Sequence, residues 1–200
     1  MILTPIPHHR LDAALDWFAA GLAAEARAAF ELIRATSPDR AKGAAAEHDR
    51  RAALAVARDH GMAIHPEGTA CAFNWDGAAL DGATEAYVIL HEVAHYLLAP
   101  PECRALPDFG LGPGPDTRNR AGAERAAALP AMEREADEAA ASLLGILWEA
   151  ELGQPALASF LDQNWLEGLE RSASAHFTAV LSRLVTNDYW TPSPARYVSS

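Results

Sequence analysis

The sequence of 200 residues contains few of the features that would indicate a secreted, nucleic-acid-binding or membrane protein. It has only two cysteines, Cys71 and Cys103, which are too few for a disulfide framework and do not form a C-x-x-C pair. This composition favours a reducing compartment. Acidic residues outnumber basic ones by 27 to 16, giving a net charge of −11. Because no basic stripe is visible either, the chain is unlike a nucleic-acid-binding protein.

Long hydrophobic runs are also missing. No apolar run approaches the roughly 18 residues that a transmembrane helix needs. The start of the chain, Met1–Arg10, lacks a basic segment followed by an apolar core, so we expect no signal peptide. We therefore expect a cytoplasmic protein that binds neither a membrane nor nucleic acid. The 50% apolar composition is sufficient for one compact domain, residues 1–200, with a sizeable core.

The most informative motif is the H-E-x-x-H sequence at residues 91–95. On a helix, His91 and His95 lie on one face, so both imidazoles can bind a single metal ion. Glu92 would then lie beside a metal-bound water, as metal-dependent hydrolysis requires. The flanking residues are almost all apolar, which indicates a buried helix. Burying two histidines and a glutamate is costly unless a bound cation compensates them, so the motif predicts a metal site.

A third ligand is expected from a second long helix, residues 130–152. Pro130 suits the first turn of this helix, and Gly153 followed by Pro155 marks its end. The apolar stripe of the helix, extended back by one turn, reaches Glu133, which we predict to be the third ligand. Asp137 is one turn further on and could accept a hydrogen bond from a ligating histidine. Two other acids of this helix, Glu135 and Glu138, are predicted to point away from the stripe, by roughly 140–200° from Glu133.

The rest of the chain predicts a mostly α (α+β) fold, zincin-like, with a small β-hairpin or sheet edge beside the metal-binding helix. The expected segments are N-terminal helices (1–60, with helices at about 11–35 and 44–60), short strands (61–76), the metal helix (84–99), a loop (100–128), C-terminal helices (156–186) and a tail (191–200). A loop as long as 100–128 is often functional. Its charged residues are candidates to line the mouth of the site or to clamp the loop: Arg104, Asp108, Asp116 and Arg118. His176 could also approach the metal, although a lone helical histidine is more often structural.

Two resemblances extend this prediction. The H-E-x-x-H motif followed by E-x-x-x-D at Glu133–Asp137 resembles the gluzincin-type zinc metallopeptidases, and the second helix is similar to that of small bacterial metallopeptidases that cleave repressors. Residues 91–118 also resemble elongation factor P hydroxylase, a bacterial metalloenzyme that hydroxylates a modified lysine on a translation factor. That likeness rests on the order and spacing of His91, Glu92, His95, Ala99, Arg104, Leu106, Asp108-Phe109-Gly110, Pro115-Asp116 and Arg118. It implies that His91, His95 and Glu133 bind iron.

Three functions follow from these patterns. In the first, Zn²⁺ activates a water and Glu92 serves as the general base in hydrolysis of a peptide or amide bond. In the second, the same ligands hold Fe²⁺ for an O₂-dependent hydroxylation, and Glu92 is a further ligand or a proton donor. The third is a metal-stabilised binding module, which is disfavoured because structural zinc sites are normally closed by four ligands. The hydrolase, acting on a peptide or protein substrate, is the leading hypothesis.

Overall fold

The computed structural model of the chain describes residues 6–113, 117–166 and 172–191. Within these ranges the regular structure is helical: α1 (His8–Ala20), α2 (Ala24–Arg34), α3 (Ala44–Asp59), α4 (Ala86–Leu98), α5 (Pro101–Arg104), a 3₁₀ turn (Pro107–Gly110), α6 (Arg120–Ala126), α7 (Ala131–Glu151), α8 (Ala156–Asp162) and α9 (Ala173–Thr186). The predicted mostly helical class is therefore confirmed. None of the described helices is long and apolar enough to cross a membrane.

The single helix predicted for residues 11–35 is instead two helices, α1 and α2. The break falls at Gly21, where the chain passes directly over α9. A Cβ atom on Gly21 would lie 2.4 Å from the Ser174 hydroxyl oxygen, so only glycine allows this close approach. The helical periodicity continues across the break, which is why the sequence pattern did not reveal it.

The segment between α3 and α4 contains isolated β-bridges in place of the predicted hairpin. Leu80 pairs with Ile64 in the parallel sense and with Trp75 in the antiparallel sense. Pro66 cannot donate a backbone hydrogen bond, and Gly77 has a φ of 95° that interrupts the extended chain. The predicted hairpin is therefore not formed in the described residues, which offer no sheet edge along which a substrate could bind as an added strand.

Two apolar clusters form the core. The first joins α1, α2, α7, α8 and α9 around five aromatic rings with centroids 4.8–6.3 Å apart, namely Phe18, Phe30, Phe160, Trp165 and Phe177. The second joins α3 and α4 to Trp75 and Phe109. Trp148 of α7 packs against both clusters. Helix α7 is thus the element that connects the two halves of the core.

Helices α4 and α7 cross at a glycine. A Cβ atom on Gly145 would lie 3.2 Å from the backbone nitrogen of His91, so the two helix backbones approach more closely there than a larger residue would allow. His91 lies opposite Gly145, whereas His95, one turn later in α4, lies opposite Glu138, two turns earlier in α7. The two helices are therefore antiparallel. This crossing holds the H-E-x-x-H motif against α7.

The predicted loop at 100–128 contains the short helices α5 and α6 and the 3₁₀ turn, so it is more ordered than its composition indicated. The two C-terminal helices predicted within 156–186 are present as α8 and α9. Nearly all of the predicted tail, 191–200, lies outside the described residues.

A buried carboxyl group in α7 links the stability of the fold to pH. Glu149 is only 2% exposed, and this burial raises its pKa to about 7. The Ser159 hydroxyl and the Arg40 guanidinium lower the pKa and so offset part of this shift. Arg40 Nη1 lies 3.7 Å from Glu149 Oε1. The carboxylates of Asp49 in α3 and Asp162 in α8 also face Glu149 and raise its pKa further. The folded protein therefore binds a proton at Glu149 that the unfolded chain has lost by neutral pH.

We expect Glu149→Gln to remove this pH dependence. The pKa of Glu149 is about 7 in the folded protein and near 4.5 in the unfolded chain. The raised value therefore stabilises the fold fully at pH values below 4.5, and this contribution is lost as the pH rises through about 7. The free energy of unfolding of the parent, measured relative to the variant, should fall by up to about 3 kcal/mol between pH 5 and pH 8. Urea unfolding of both proteins across this range measures the difference. A difference that stays constant with pH would contradict the assignment.

Candidate metal centre

Helix α4 brings the two histidines of the motif together. Their Nε2 atoms lie 2.9 Å apart, and their rings meet edge to face with centroids 4.5 Å apart. The His95 side chain is 6% exposed and that of His91 is 19% exposed. Burial, reinforced by the neighbouring His91, lowers the pKa of His95. His95 is therefore held in the neutral form that binds metal ions.

The third donor is Glu138 of α7. Its Oε1 lies 3.2 Å from Nε2 of His91, and its Oε2 lies 3.2 Å from Nε2 of His95. Glu133 is exposed and is not part of this cluster. The prediction that Glu133 faces inward as the third ligand is therefore wrong, as is the prediction that Glu138 points away.

The geometry of α7 explains the error. Residues 140–147 are all buried, so several apolar stripes can be drawn along this half of the helix. The stripe that faces α4 is marked by Gly145, the contact point with His91. Counting back from Gly145 at 100° per residue, Glu138 lies about 20° from that line, whereas Glu133 lies about 120° from it. A glycine inside a long helix was thus the signal in the sequence that identified the correct face.

The spacing of the three donor atoms suits a metal ion. Ligand atoms about 2.1 Å from a metal are about 3.4 Å apart in a tetrahedral site and about 3.0 Å apart in adjacent octahedral positions. The two histidine nitrogens are 2.9 Å apart, each lies 3.2 Å from a different oxygen of Glu138, and one donor atom from each of the three residues lies within 4.8 Å of the others, so small shifts reach these values. Two neutral nitrogens and one carboxylate are also a common donor set for zinc and for non-haem iron. His91, His95 and Glu138 could therefore hold one divalent metal ion.

Glu92 lies beside this cluster in a buried position. It is 7% exposed, and Asn74 Nδ2 donates a hydrogen bond to its Oε1 over 3.3 Å. Burial raises the pKa of Glu92 to about 7; the charge of His91 opposes this shift and that of Asp108 adds to it. A carboxyl group with such a pKa can both accept and release a proton near neutral pH.

A left-handed turn forms one wall of the site. Asp108, Phe109 and Gly110 have φ values of 46°, 55° and 71°, which is a strained conformation for the two non-glycine residues. The Phe109 ring lies between two others, with centroids 5.7 Å from Trp75 and 5.6 Å from His95. These ring contacts hold the turn against His95, one of the candidate ligands.

Asp108 faces the site from this turn. Burial raises the pKa of its carboxyl group, while a hydrogen bond from the Thr117 hydroxyl to Oδ2, 2.9 Å long, opposes the shift. The side chains of Asp108, Glu92 and Glu138 line one cavity of about 180 Å³ together with both histidines. The cavity is thus rich in carboxyl groups, and its remaining walls are largely apolar.

The other charged residues predicted for the site are placed differently. Arg104 donates to the carbonyl oxygens of Ala99 and Leu97 and so caps the end of α4. Arg118 forms an ion pair with Asp81 over 3.0 Å. Both arginines therefore clamp the 100–128 segment onto the body of the protein, and neither lines the cavity. Asp116 lies outside the described residues.

Two further candidates are engaged elsewhere. Asp137 accepts a hydrogen bond from Arg183 over 2.7 Å, which joins α7 to α9. His176 stacks on Trp165 with centroids 5.3 Å apart. Neither residue belongs to the donor cluster. Asn74 and Thr117, which do face the cavity, had no recognisable signal in the sequence because they reach it from loops far from the motif.

Comparison with known proteins adds nothing to this description: no protein family, no curated protein and no solved structure matches the chain. The candidate metal centre therefore rests on its own geometry.

Proposed function

We propose that this protein is a metal-dependent hydrolase that cleaves a peptide or amide bond. The observation that carries the proposal is the convergence of His91, His95 and Glu138 in one cavity that Glu92 also lines. Three protein donors leave at least one position open on a metal ion, as catalytic sites require and structural sites do not. The same feature argues against a purely metal-stabilised binding module.

A divalent metal, Zn²⁺ in this proposal, would supply Lewis-acid activation of water and of the scissile carbonyl group. The role of Glu92 is to take a proton from the attacking water at its carboxylate and to pass it to the leaving nitrogen. Asn74 orients that carboxylate through its hydrogen bond to Oε1. Asp108, across the cavity, is placed to bind a polar group of the substrate.

The dimensions of the cavity restrict the substrate. Its volume of about 180 Å³ is below the roughly 300 Å³ at which typical ligand pockets begin. The described residues also offer no strand edge beside α4. An extended peptide laid along the site is therefore disfavoured, and the reacting bond is better placed on a side-chain amide or near the end of a chain.

We expect Glu92→Gln to retain the metal and lose hydrolysis by about 10²- to 10⁴-fold, because only the proton-transfer group is removed. Zinc content by elemental analysis, together with turnover of a panel of terminal and side-chain amides, measures both effects. The matched control is Glu102→Gln, an exposed acid of α5 outside the cavity. If the Glu92 variant loses its metal, Glu92 is a ligand. If no amide is hydrolysed by the fully loaded parent, the hydrolase proposal is wrong.

An Fe²⁺- and O₂-dependent hydroxylase is the second candidate. The donor set of His91, His95 and Glu138 also suits iron. Two histidines and one carboxylate on one face of an octahedron are the ligand set of non-haem iron oxygenases. Elemental analysis of protein purified without oxygen distinguishes the candidates, since retained iron favours the hydroxylase and retained zinc the hydrolase.

A further inference from the structure

A second, larger cleft lies at the opposite end of the α4–α7 pair. Its volume is about 600 Å³, within the range of small-molecule sites. The segment 40–50, the start of α4 and the end of α7 line it. Tyr87 lines both this cleft and the metal cavity. The Arg40 guanidinium stacks on the Tyr87 ring, with its carbon 3.8 Å from the ring centroid. The cleft is thus a separate space that adjoins the metal site.

The end of α7 forms part of the lining of the cleft. The backbone nitrogen of Gly153 bonds to the Ala150 carbonyl, and that of Gln154 bonds to the Glu149 carbonyl, with Gly153 in the left-handed conformation. This Schellman turn folds Gln154 back beside the helix end. Gln154 is 2% exposed, and its Nε2 donates to the Asp49 carbonyl over 3.0 Å. Its Oε1, however, is a buried acceptor with no hydrogen-bond partner.

The charged residues of the cleft, like this unpaired acceptor, favour a ligand that is positively charged and donates hydrogen bonds. Five acidic and three basic residues line it, a difference of two negative charges once Glu149 has lost the proton that it holds near neutral pH. Two of the bases already have protein partners: Arg40 binds Asp162 and Ser159, and Arg50 binds Glu47 and the Gly82 carbonyl. Among the buried side-chain atoms that the structure describes, the one left without a hydrogen-bond partner is therefore an acceptor, Gln154 Oε1.

We propose that this cleft binds a small molecule carrying a primary ammonium group, whose N–H groups are accepted by Gln154 Oε1 and the Glu149 carboxylate. An ammonium group provides three donors and a positive charge, which satisfies the orphaned oxygen and offsets the acidic lining. Glu149 lies on α7 eleven residues beyond Glu138, about 16 Å along the helix. The ammonium site is thus distinct from the metal centre and goes beyond the proposed hydrolase.

One feature of the cleft favours the opposite charge. Helix α3 begins at its edge, after Lys42 and Gly43, and no side chain caps its N-terminus. A helix N-terminus beside a lysine attracts anions. Such a site would leave Gln154 Oε1 unpaired, so we assign the cleft to a cation and use inorganic phosphate as the competing probe.

The test is calorimetric titration of the full-length, metal-loaded protein with 1,5-diaminopentane, 1,5-pentanediol and inorganic phosphate. We expect saturable binding of the diamine and none of the diol or phosphate. Gln154→Met and Glu149→Gln should each weaken diamine binding by at least about tenfold, because the first removes an acceptor for a charged donor and the second removes the negative charge that the ammonium group faces. Glu133→Gln, an exposed acid on the same helix, should leave it unchanged.

Amines also bind metal ions, so the titration is repeated after removal of the metal by chelation. We expect the same affinity, and this result does not depend on whether the metal centre is a hydrolase. Diamine binding that disappears with the metal would overturn the proposal, as would binding that both cleft variants leave unaltered or saturable binding of phosphate in its place. Unfolding curves of the two variants verify that each is folded at the temperature of the titration.

Discussion

Replacing Glu138 with glutamine is expected to remove the metal from this protein. Glutamine retains the shape of the side chain but loses the negative charge that would offset a divalent cation bound by the two histidines. Removing a residue that only hydrogen-bonds to a metal ligand already lowers metal affinity by about 10- to 100-fold. Removing a ligand itself should therefore lower it by at least about 100-fold. Equilibrium dialysis against Zn²⁺ and Fe²⁺ measures this directly.

The matched control is Glu133→Gln on the same helix. Glu133 is exposed and lies outside the donor cluster, so its variant should bind metal as the parent does. Both variants lose one negative charge, so their comparison separates ligation from a general electrostatic effect. Equal retention of metal in the two variants, or equal loss, would remove Glu138 from the ligand set.

The second large effect is expected at the helix crossing. A Cβ atom on Gly145 already lies 3.2 Å from the His91 nitrogen and 3.3 Å from its Cα. These are backbone atoms of a buried helix and cannot rotate away, so the branched side chain of Gly145→Val must separate α4 from α7. Overpacking of this kind costs about 3 kcal/mol, occasionally more, which for a chain of this length lowers the melting temperature by about 6–12 °C.

The same substitution should weaken metal binding, because α4 carries two donor atoms and α7 carries the third. Ala136→Val, at an exposed position of α7, is the control for the lower helix propensity of valine and should cost less than about 1 kcal/mol. Differential scanning calorimetry with and without added metal measures both effects. If Gly145→Val melted like the control, the close crossing of α4 and α7 would be disproved.

The sequence predicted which helices form the candidate centre, but not which face of α7 meets α4. The H-E-x-x-H motif lies on a helix, α4, because its spacing and its apolar flanks are local features. The third ligand depends on which face of α7 meets α4, and that is set by packing between residues about 50 positions apart. Since every residue of α7 from 140 to 147 is buried, its apolar pattern did not distinguish Glu133 from Glu138. Only Gly145 carried that information.

Loop residues were harder still to predict. Asn74 and Thr117 reach the cavity through backbone turns whose conformation depends on tertiary contacts. The sequence left two roles open for Arg104 and Arg118, which were to line the mouth of the site or to hold the 100–128 segment in place. In the structure Arg104 bonds to the end of α4 and Arg118 to Asp81. The strained turn at Asp108 could not be foreseen, because aspartate and phenylalanine rarely adopt positive φ without surrounding packing.

That turn has a consequence for how the centre exchanges ligands with solvent. Phe109 is held between Trp75 and His95, and the nitrogen of Asp108 is hydrogen-bonded to the Trp75 carbonyl over 3.0 Å. Moving the turn outward would break this hydrogen bond and separate the Phe109 ring from the imidazole, so we expect motion of this wall to be costly. The Glu138 side chain, by contrast, is 57% exposed, so we expect water and small ligands to reach the cavity beside it. A metal ion bound in the proposed centre would then enter and leave past one of its own candidate ligands.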